Sequence, residues 1–342
     1  MSESTNPAST LLLPPTPLPP NPYSPTTHPA WHAAFNACLP LAECAGTWAD
    51  LSPGLAAAAD TSGAAVDTML ALQTSPEVAG RTLGHALLRA PHDVARDCVA
   101  REITGCEGDA ELLAGLAHVF IFGLARIFLN PAGLTPMDES PRYADQRTGV
   151  LPPGVTPKRL TKKAGPGWAC LEVMHIVSQP LSRPCFEAMG GMTDRAQYKL
   201  QWASFPATIL ARLAGVEVRD VLPDLDIHHP ANALMADSAP HTTFKQLELW
   251  LTPSLDDEGN VLANTYDTHF QHPFLAPMIG LPPQICLRHG TTPDGVDVPA
   301  PSRTLLEIHA WCAEVAHLSG AAAVLKRFYG EGGVLDQWSR NN

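Results

Sequence analysis

The sequence is short of positive charge. It has 22 Lys and Arg against 34 Asp and Glu, which gives a formal net charge of −12 over 342 residues. A protein that coats nucleic acid in general needs a basic surface, so this composition argues against that class. The shortage is uneven, because residues 158–219 carry nine Lys and Arg against four Asp and Glu. The chain therefore has one basic window in an acidic whole.

The eight cysteines form no Cys-x-x-Cys pair, which removes the usual sequence pattern of a zinc ribbon. They stand in apolar stretches and are expected to be buried thiols in a reducing compartment. No Walker lysine loop, Gly-x-Ser-x-Gly elbow or His-Glu-x-x-His helix occurs either. The N-terminus lacks the pattern of a secretory signal, so we expect an intracellular protein, in the nucleus or the cytoplasm.

Three regions follow from composition. Residues 1–30 contain nine prolines and no Lys or Arg, which predicts an extended or disordered tail. Its segment 14–20 could dock on an SH3-type or WW-type groove, although a solvated tail is the favoured interpretation. Residues 31–145 are predicted to be a helical region, and residues 150–328 a second domain that ends in a packing helix.

One helix invites a membrane interpretation. Asp109 is the predicted N-cap of a helix over 110–129, and most of that run is apolar. His118 and Arg126 lie inside it, and no basic cluster flanks it. We therefore expect a buried central helix and no membrane partner.

The second domain mixes both periodicities. Residues 169–177 are typical of a strand, and 192–214 of a helix that Gly215 ends. Residues 247–251 and 264–270 alternate like the two strands of a hairpin. A last helix is predicted over about 302–328. The fold class predicted from these elements is α+β.

The candidate catalytic residues stand in Glu172-x-x-His175 and in a segment that runs from Asn232 to His241. His175 suits a general base, because an imidazole titrates near neutral pH. His241 can ligate a metal through a neutral ring nitrogen, and Asn232 can hold the loop and orient the His175 ring. Glu172 reaches a metal only if the strand bends, since strand positions three apart face opposite sides.

These motifs resemble the fungal HNH endonuclease-domain proteins. The resemblance rests on 170–177, 226–234 and 241–250, on Asn-Thr-Tyr at 264–266, and on the closing helix 305–322. With the similar helical segment 94–131, it spans most of residues 80–328. It implies a ββα-metal (HNH) module embedded in the second domain and cleavage of DNA. It also implies that His175 is the base, Asn232 the orienting residue and His241 a metal ligand.

The implied cofactor is a divalent metal ion, Mg²⁺ first, with Mn²⁺, Ni²⁺ or Zn²⁺ as alternatives. The implied partner is DNA, whose phosphates would contact the basic run Lys158, Arg159, Lys162 and Lys163. Two departures from the family pattern support an alternative interpretation of the function. The strand before the first histidine is short and lacks the family's cysteine, and Met174 replaces an acidic metal ligand. A catalytically degenerate HNH-fold module that binds nucleic acid or a protein partner is the alternative.

Overall fold

The computed structural model describes residues 15–51, 74–129, 172–177, 206–222, 229–291, 295 and 297–329. Helices and strands are mixed in this part of the chain, as the α+β class requires. The basic run 158–163 and most of the predicted helix 192–214 lie outside the described residues.

The N-terminal half of the described chain is helical, as predicted. Ser75 and Asp109 begin two of these helices with a side-chain oxygen that accepts backbone N–H groups, and Asp109 is the N-cap that the sequence predicts. The helices are α1 (Pro29–Ala42), α2 (Trp48–Leu51), α3 (Pro76–Arg89), α4 (Asp93–Gly105) and α5 (Ala110–Phe128), the last with a π-helical stretch at Val119–Ala125.

Helix α5 is part of the core. Phe120, Ile121 and Phe122 are buried, and Phe120 meets Trp311 edge to face with 5.2 Å between ring centroids. Among the described residues, α5 is the single helix that is long and apolar enough to span a membrane. A bent pair near the C-terminus, 303–319 with 321–329, would add a second if the pair formed one span. This is weak evidence for a membrane span, because core helices pass the same test.

In the described part of the chain, three antiparallel sheets follow α5. The first pairs β1 with β2, the second has the order β3-β4-β5, and the third pairs β6 with β7. The predicted hairpin is confirmed, with its turn at Asp256–Asn260. The strands are β1 (Glu172–His175), β2 (Ala233–Ala236), β3 (Leu249–Leu255), β4 (Val261–Phe270), β5 (Gln284–Cys286), β6 (Gly290–Thr291) and β7 (Asp297–Val298).

Short helices connect these strands. Gly215 has a left-handed backbone (φ 66°) and ends the helical turn before it, at the residue that the sequence predicts. The helices are α6 (Pro206–Ile209, continued by a π-helical turn at Leu210–Ala214), α7 (Val218–Val221), α8 (Ser238–Lys245) and α9 (Leu275–Ile279).

A long helix near the C-terminus, α10 (Arg303–Ser319), joins the helical half to the sheets. It packs on α3 on one side and on β3 on the other. Its Trp311 indole N–H donates to the carbonyl of Ala86 in α3 at 3.0 Å. The prediction of one continuous closing helix is wrong. Gly320 takes a left-handed backbone (φ 88°), and α11 (Ala321–Tyr329) leaves at 102°.

The proline-rich segment is only partly described. Residues 15–28 form neither helix nor strand. They are nevertheless joined to the core by hydrogen bonds. The Thr16 N–H donates to the Leu318 carbonyl at 2.8 Å, and the Thr16 carbonyl lies 2.9 Å from Nε2 of His85. The Tyr23 hydroxyl donates to the Leu87 carbonyl at 3.1 Å. This stretch is therefore docked on α3 and α10, and a free solvated tail is the wrong description for it.

Candidate functional site

The pair β1–β2 brings His175 and Asn232 together. The register places His175 opposite Ala233, the residue directly after Asn232. The N–H of Ile176 donates to the Asn232 carbonyl at 2.9 Å, which extends the pairing one step beyond β1. Two residues that are 57 positions apart in sequence therefore meet at one end of this small sheet.

Asn232 is fully buried, and its side chain bonds to the backbone just beyond His175. The amide oxygen accepts the N–H of Val177 at 2.8 Å, and the amide nitrogen donates to the Val177 carbonyl at 3.0 Å. Val177 is itself buried, so these two backbone groups have no access to water. Asn232 thus fixes the course of the chain two residues after the candidate base.

His175 lies on the outer side of the strand pair. Along β1, Met174 is 4% exposed while Val173 is 47% exposed, as the alternation of a strand requires. On β2, the partner of Val173 is Met235, which is also exposed. His175 shares this outer face and is half-buried. Water can therefore reach its surroundings, which a general base for water needs.

His241 lies inside α8, which begins two residues after β2. It is nearly buried, on the same side of the helix as Phe244. Helix α8 contacts both β1 and β2, so the order is strand, strand, helix. The Phe244 ring is stacked on His309 of α10 with 3.7 Å between centroids, and its carbonyl bonds to Nε2 of His309 at 3.1 Å. The core thereby holds α8 in place.

Sequence reasoning missed Asp237, the N-cap residue of α8. An N-cap carboxylate normally accepts a backbone N–H of the first helical turn, yet Asp237 makes no such bond. Its Oδ1 is buried and has no hydrogen-bond partner. The sequence offers a signal for an N-cap here, because Asp precedes Ser-Ala-Pro. It carries no signal that the capping bond is missing.

Glu172 is the first residue of β1 and pairs with Ala236, directly before Asp237. His175 and Asn232 mark one end of the strand pair, and Glu172 marks the other. The proposed phosphate contacts Lys158, Arg159, Lys162 and Lys163 lie outside the described residues. His229 accepts the N–H of Ala231 through Nδ1 at 3.2 Å, so it caps the turn before β2.

Within the described residues, no group of three or more His, Cys, Asp and Glu side chains is placed to hold a metal ion. The predicted site residues that lie in the described part of the chain therefore do not form a complete metal centre.

Two further histidines pack in the core and bond to backbone carbonyls. Nε2 of His309 bonds to the Phe244 carbonyl, and Nε2 of His317 bonds to the Leu247 carbonyl at 2.7 Å. Burial lowers the pKa of His309 to about 3 and that of His317 to about 4. Both rings are neutral at pH 7 and tie α10 to the segment that leads from α8 into β3.

The cysteine prediction holds for part of the set. Cys38, Cys98, Cys106 and Cys312 are buried free thiols, whereas Cys286 on the edge strand β5 is exposed. Burial raises the pKa of the Cys312 thiol well above its usual value, so this thiol is unreactive.

The chain matches no protein-family model, and no curated protein or solved structure matches it.

Proposed function

We propose that this protein is a divalent-metal-dependent HNH-type endonuclease that hydrolyses DNA phosphodiester bonds, with β1, β2 and α8 as its ββα-metal module. One observation carries the proposal. A buried asparagine directly before β2 bonds the backbone two residues after the half-buried His175, and a helix with a second histidine follows β2. Phosphodiester hydrolysis needs a base, and this arrangement holds one near water.

Each residue has a separate task in this proposal. His175 takes the proton of the attacking water, because an imidazole is the side chain suited to proton transfer at physiological pH and this residue is only half-buried. Asn232 fixes the backbone after His175 and so limits where the ring can lie. His241 presents a ring nitrogen from α8 to the metal, and Glu172 is the proposed carboxylate ligand from β1. The basic run at 158–163 contacts DNA phosphates.

A divalent cation, when bound, neutralises charge on the phosphate and stabilises the leaving oxygen. The donor types of the proposed ligands, imidazole nitrogen and carboxylate oxygen, suit Mg²⁺, Mn²⁺, Ni²⁺ or Zn²⁺. A buried carboxylate oxygen without a partner lies one helical turn from His241, on Asp237, and is consistent with a cation site.

A second candidate is a catalytically degenerate module that binds nucleic acid or a protein partner. Two observations favour it. Met174, directly before His175, is packed into the core, so this position supplies no ligand. The described residues also bring no three metal-ligating side chains together.

A plasmid-nicking assay separates the two functions. The full chain is incubated with supercoiled DNA and Mg²⁺, Mn²⁺, Ni²⁺ or Zn²⁺, with EDTA as the matched blank. The endonuclease proposal expects nicking with at least one cation and none with EDTA. DNA retention on a gel without nicking under any cation would favour the degenerate module.

A further inference from the structure

We propose that the arm, residues 15–23, binds the groove of a second copy of this chain, so that two copies exchange their arms. The groove is the surface of α3 and of the C-terminal end of α10 on which the arm lies. The arm belongs to neither a helix nor a strand, and a turn at 24–28 connects it to α1. The same contacts can therefore form within one chain or between two copies. This exchange does not depend on the endonuclease proposal.

The groove binds the backbone of the arm. At the end of α10, the Leu318 carbonyl accepts the N–H of Thr16 at 2.8 Å. On α3, Nε2 of the buried His85 lies 2.9 Å from the Thr16 carbonyl. Because this ring nitrogen faces a carbonyl oxygen, it carries the proton and donates it. One residue of the arm is thus held through both of its backbone groups, as an extended peptide is held at a recognition site.

Two glycines make room for the side chains of the arm. A Cβ at Gly84 of α3 would overlap the side chain of Leu18, and a Cβ at Gly320 would lie 2.9 Å from Cγ of Pro15. Leu18 and Tyr23 are the two side chains of the arm that pack against the hydrophobic core. The groove therefore fits a proline and a leucine at this spacing, and every copy of the chain carries them.

The arm is lightly held, so it can leave the groove. It contains no charged residue, and its prolines have no N–H group with which to bond the core. Leu18, Asn21 and Tyr23 are partly buried, whereas all five prolines of the arm are exposed. Few buried contacts and an exposed backbone are typical of segments that open at a small cost in free energy.

The turn at 24–28 can open as well. Ser24 and His28 each precede a proline, which favours an extended backbone at both ends of the turn. The N–H of His28 closes the turn by donating to the Ser24 carbonyl at 2.9 Å, and residues 25–28 are exposed. Short hinge loops of this kind are where chains exchange segments. A second copy then offers the released arm the same groove and the same bonds.

Two complementary variants of the full chain test the exchange. Gly84→Val fills the groove and keeps the arm, while Leu18→Gln weakens the arm and keeps the groove. Each variant alone should be a monomer in size-exclusion chromatography with light scattering. In an equimolar mixture, the intact arm of the first variant should bind the open groove of the second and give a one-to-one heterodimer. The control mixture pairs Leu18→Gln with the double variant, and it should stay monomeric because neither chain has an intact arm.

A labelled peptide of residues 15–24 gives an independent readout by fluorescence anisotropy. It should bind the Leu18→Gln chain at least tenfold more tightly than the parent, because the parental arm competes at an effective concentration on the order of 1 mM. Leu18→Gln leaves the sequence of every helix unchanged, so this readout does not depend on the folding of Gly84→Val. Gly115→Val measures the cost of a valine inside a helix, since a Cβ at Gly115 meets nothing within 4 Å.

Two results would overturn the exchange. One is a mixture of Gly84→Val and Leu18→Gln that stays monomeric although both variants unfold near the parental temperature. The other is a peptide that does not bind the Leu18→Gln chain. A peptide that binds while the folded mixture stays monomeric also counts against exchange, and it would make the groove a site for the proline-rich segment of another protein.

Discussion

The core around α10 and the strand–strand–helix unit differ in how far water can reach their histidines. In the core, His309 and His317 have little or no contact with solvent, and each bonds through Nε2 to a backbone carbonyl. In the unit of β1, β2 and α8, His175 is half-buried on the outer face of the strand pair. Nδ1 of both α10 histidines is buried without a hydrogen-bond partner, as is Oδ1 of Asp237, so the two regions differ in exposure and not in how completely their polar atoms are bonded.

The same contrast explains why histidine content alone is a poor guide to chemistry. Burial holds the pKa of the two α10 histidines far below 6.5, so neither can take a proton near pH 7. A general base must titrate near the working pH and must reach water. Of these three histidines, His175 is the one whose exposure meets that requirement.

The largest expected effect is on catalysis. His175→Ala should lower the nicking rate by about 10²–10⁴-fold, which is the usual contribution of a general base. The free energy of unfolding should change by about 1 kcal/mol or less, since His175 is half-buried on the outer face of the strand pair. Nicking and urea unfolding are measured on the same preparations, with the exposed His289→Ala as control. Near-parental nicking by His175→Ala would remove this residue from the mechanism.

Acid should weaken the α10 core. Both histidines have folded pKa values of about 3 and about 4, below the unfolded value of about 6.5. As the pH falls, the two histidines therefore take up protons in the unfolded chain before they do so in the folded protein. Their contribution to the free energy of unfolding is complete above a pH of about 6.5. It is lost below that, at about 1.4 kcal/mol per pH unit for each histidine.

For the two histidines together, the free energy of unfolding is expected to fall by about 4 kcal/mol between pH 7 and pH 5. Urea unfolding at both pH values measures it. His317→Gln should show about half of this pH dependence, because one of the two groups is gone. A parent whose stability is the same at pH 7 and pH 5 would contradict the prediction.

Asn232→Ala tests whether the candidate site also stabilises the fold. The substitution leaves the buried N–H and carbonyl of Val177 without their present partners. Each such group costs about 1–3 kcal/mol, so the two together predict a loss of about 2–6 kcal/mol in the free energy of unfolding. Asn260→Ala is the control, because its amide bonds to Asp256 in an exposed turn. If the two variants are equally stable, the bonds to Val177 contribute little.

Sequence periodicity predicted the elements whose boundaries are set locally. The Asp109 cap, the stop at Gly215 and the β3–β4 hairpin are each encoded in a few adjacent residues. The pairing of β1 with β2 joins segments far apart in the chain, and only the proposed motif linked them in advance. The orphaned oxygen of Asp237 could not be predicted, because it depends on burial by tertiary packing.

The break at Gly320 was missed because the helical pattern continues through 302–328, and one glycine inside it carries little weight. The docked proline-rich stretch was missed for another reason. Composition predicts whether a segment can fold alone, and residues 15–28 are held by contacts with α3 and α10 instead. An SH3-type or WW-type partner for this stretch would have to displace those contacts.

The smallest expected effect measures how firmly this stretch is docked. Gly320 and Gly259 both have a positive φ, so an alanine at either position costs about 1–2 kcal/mol of backbone strain. A Cβ at Gly259 would meet nothing within 4 Å, whereas a Cβ at Gly320 would lie 2.9 Å from Cγ of Pro15. Gly320→Ala should therefore lower the free energy of unfolding more than Gly259→Ala does, because the Pro15 ring must also move. If urea unfolding shows that both variants lose the same free energy of unfolding, the Pro15 ring moves away from α10 without an energetic cost. The proline-rich segment would then be free to bind a partner, and the docked arrangement would contribute nothing measurable to the core.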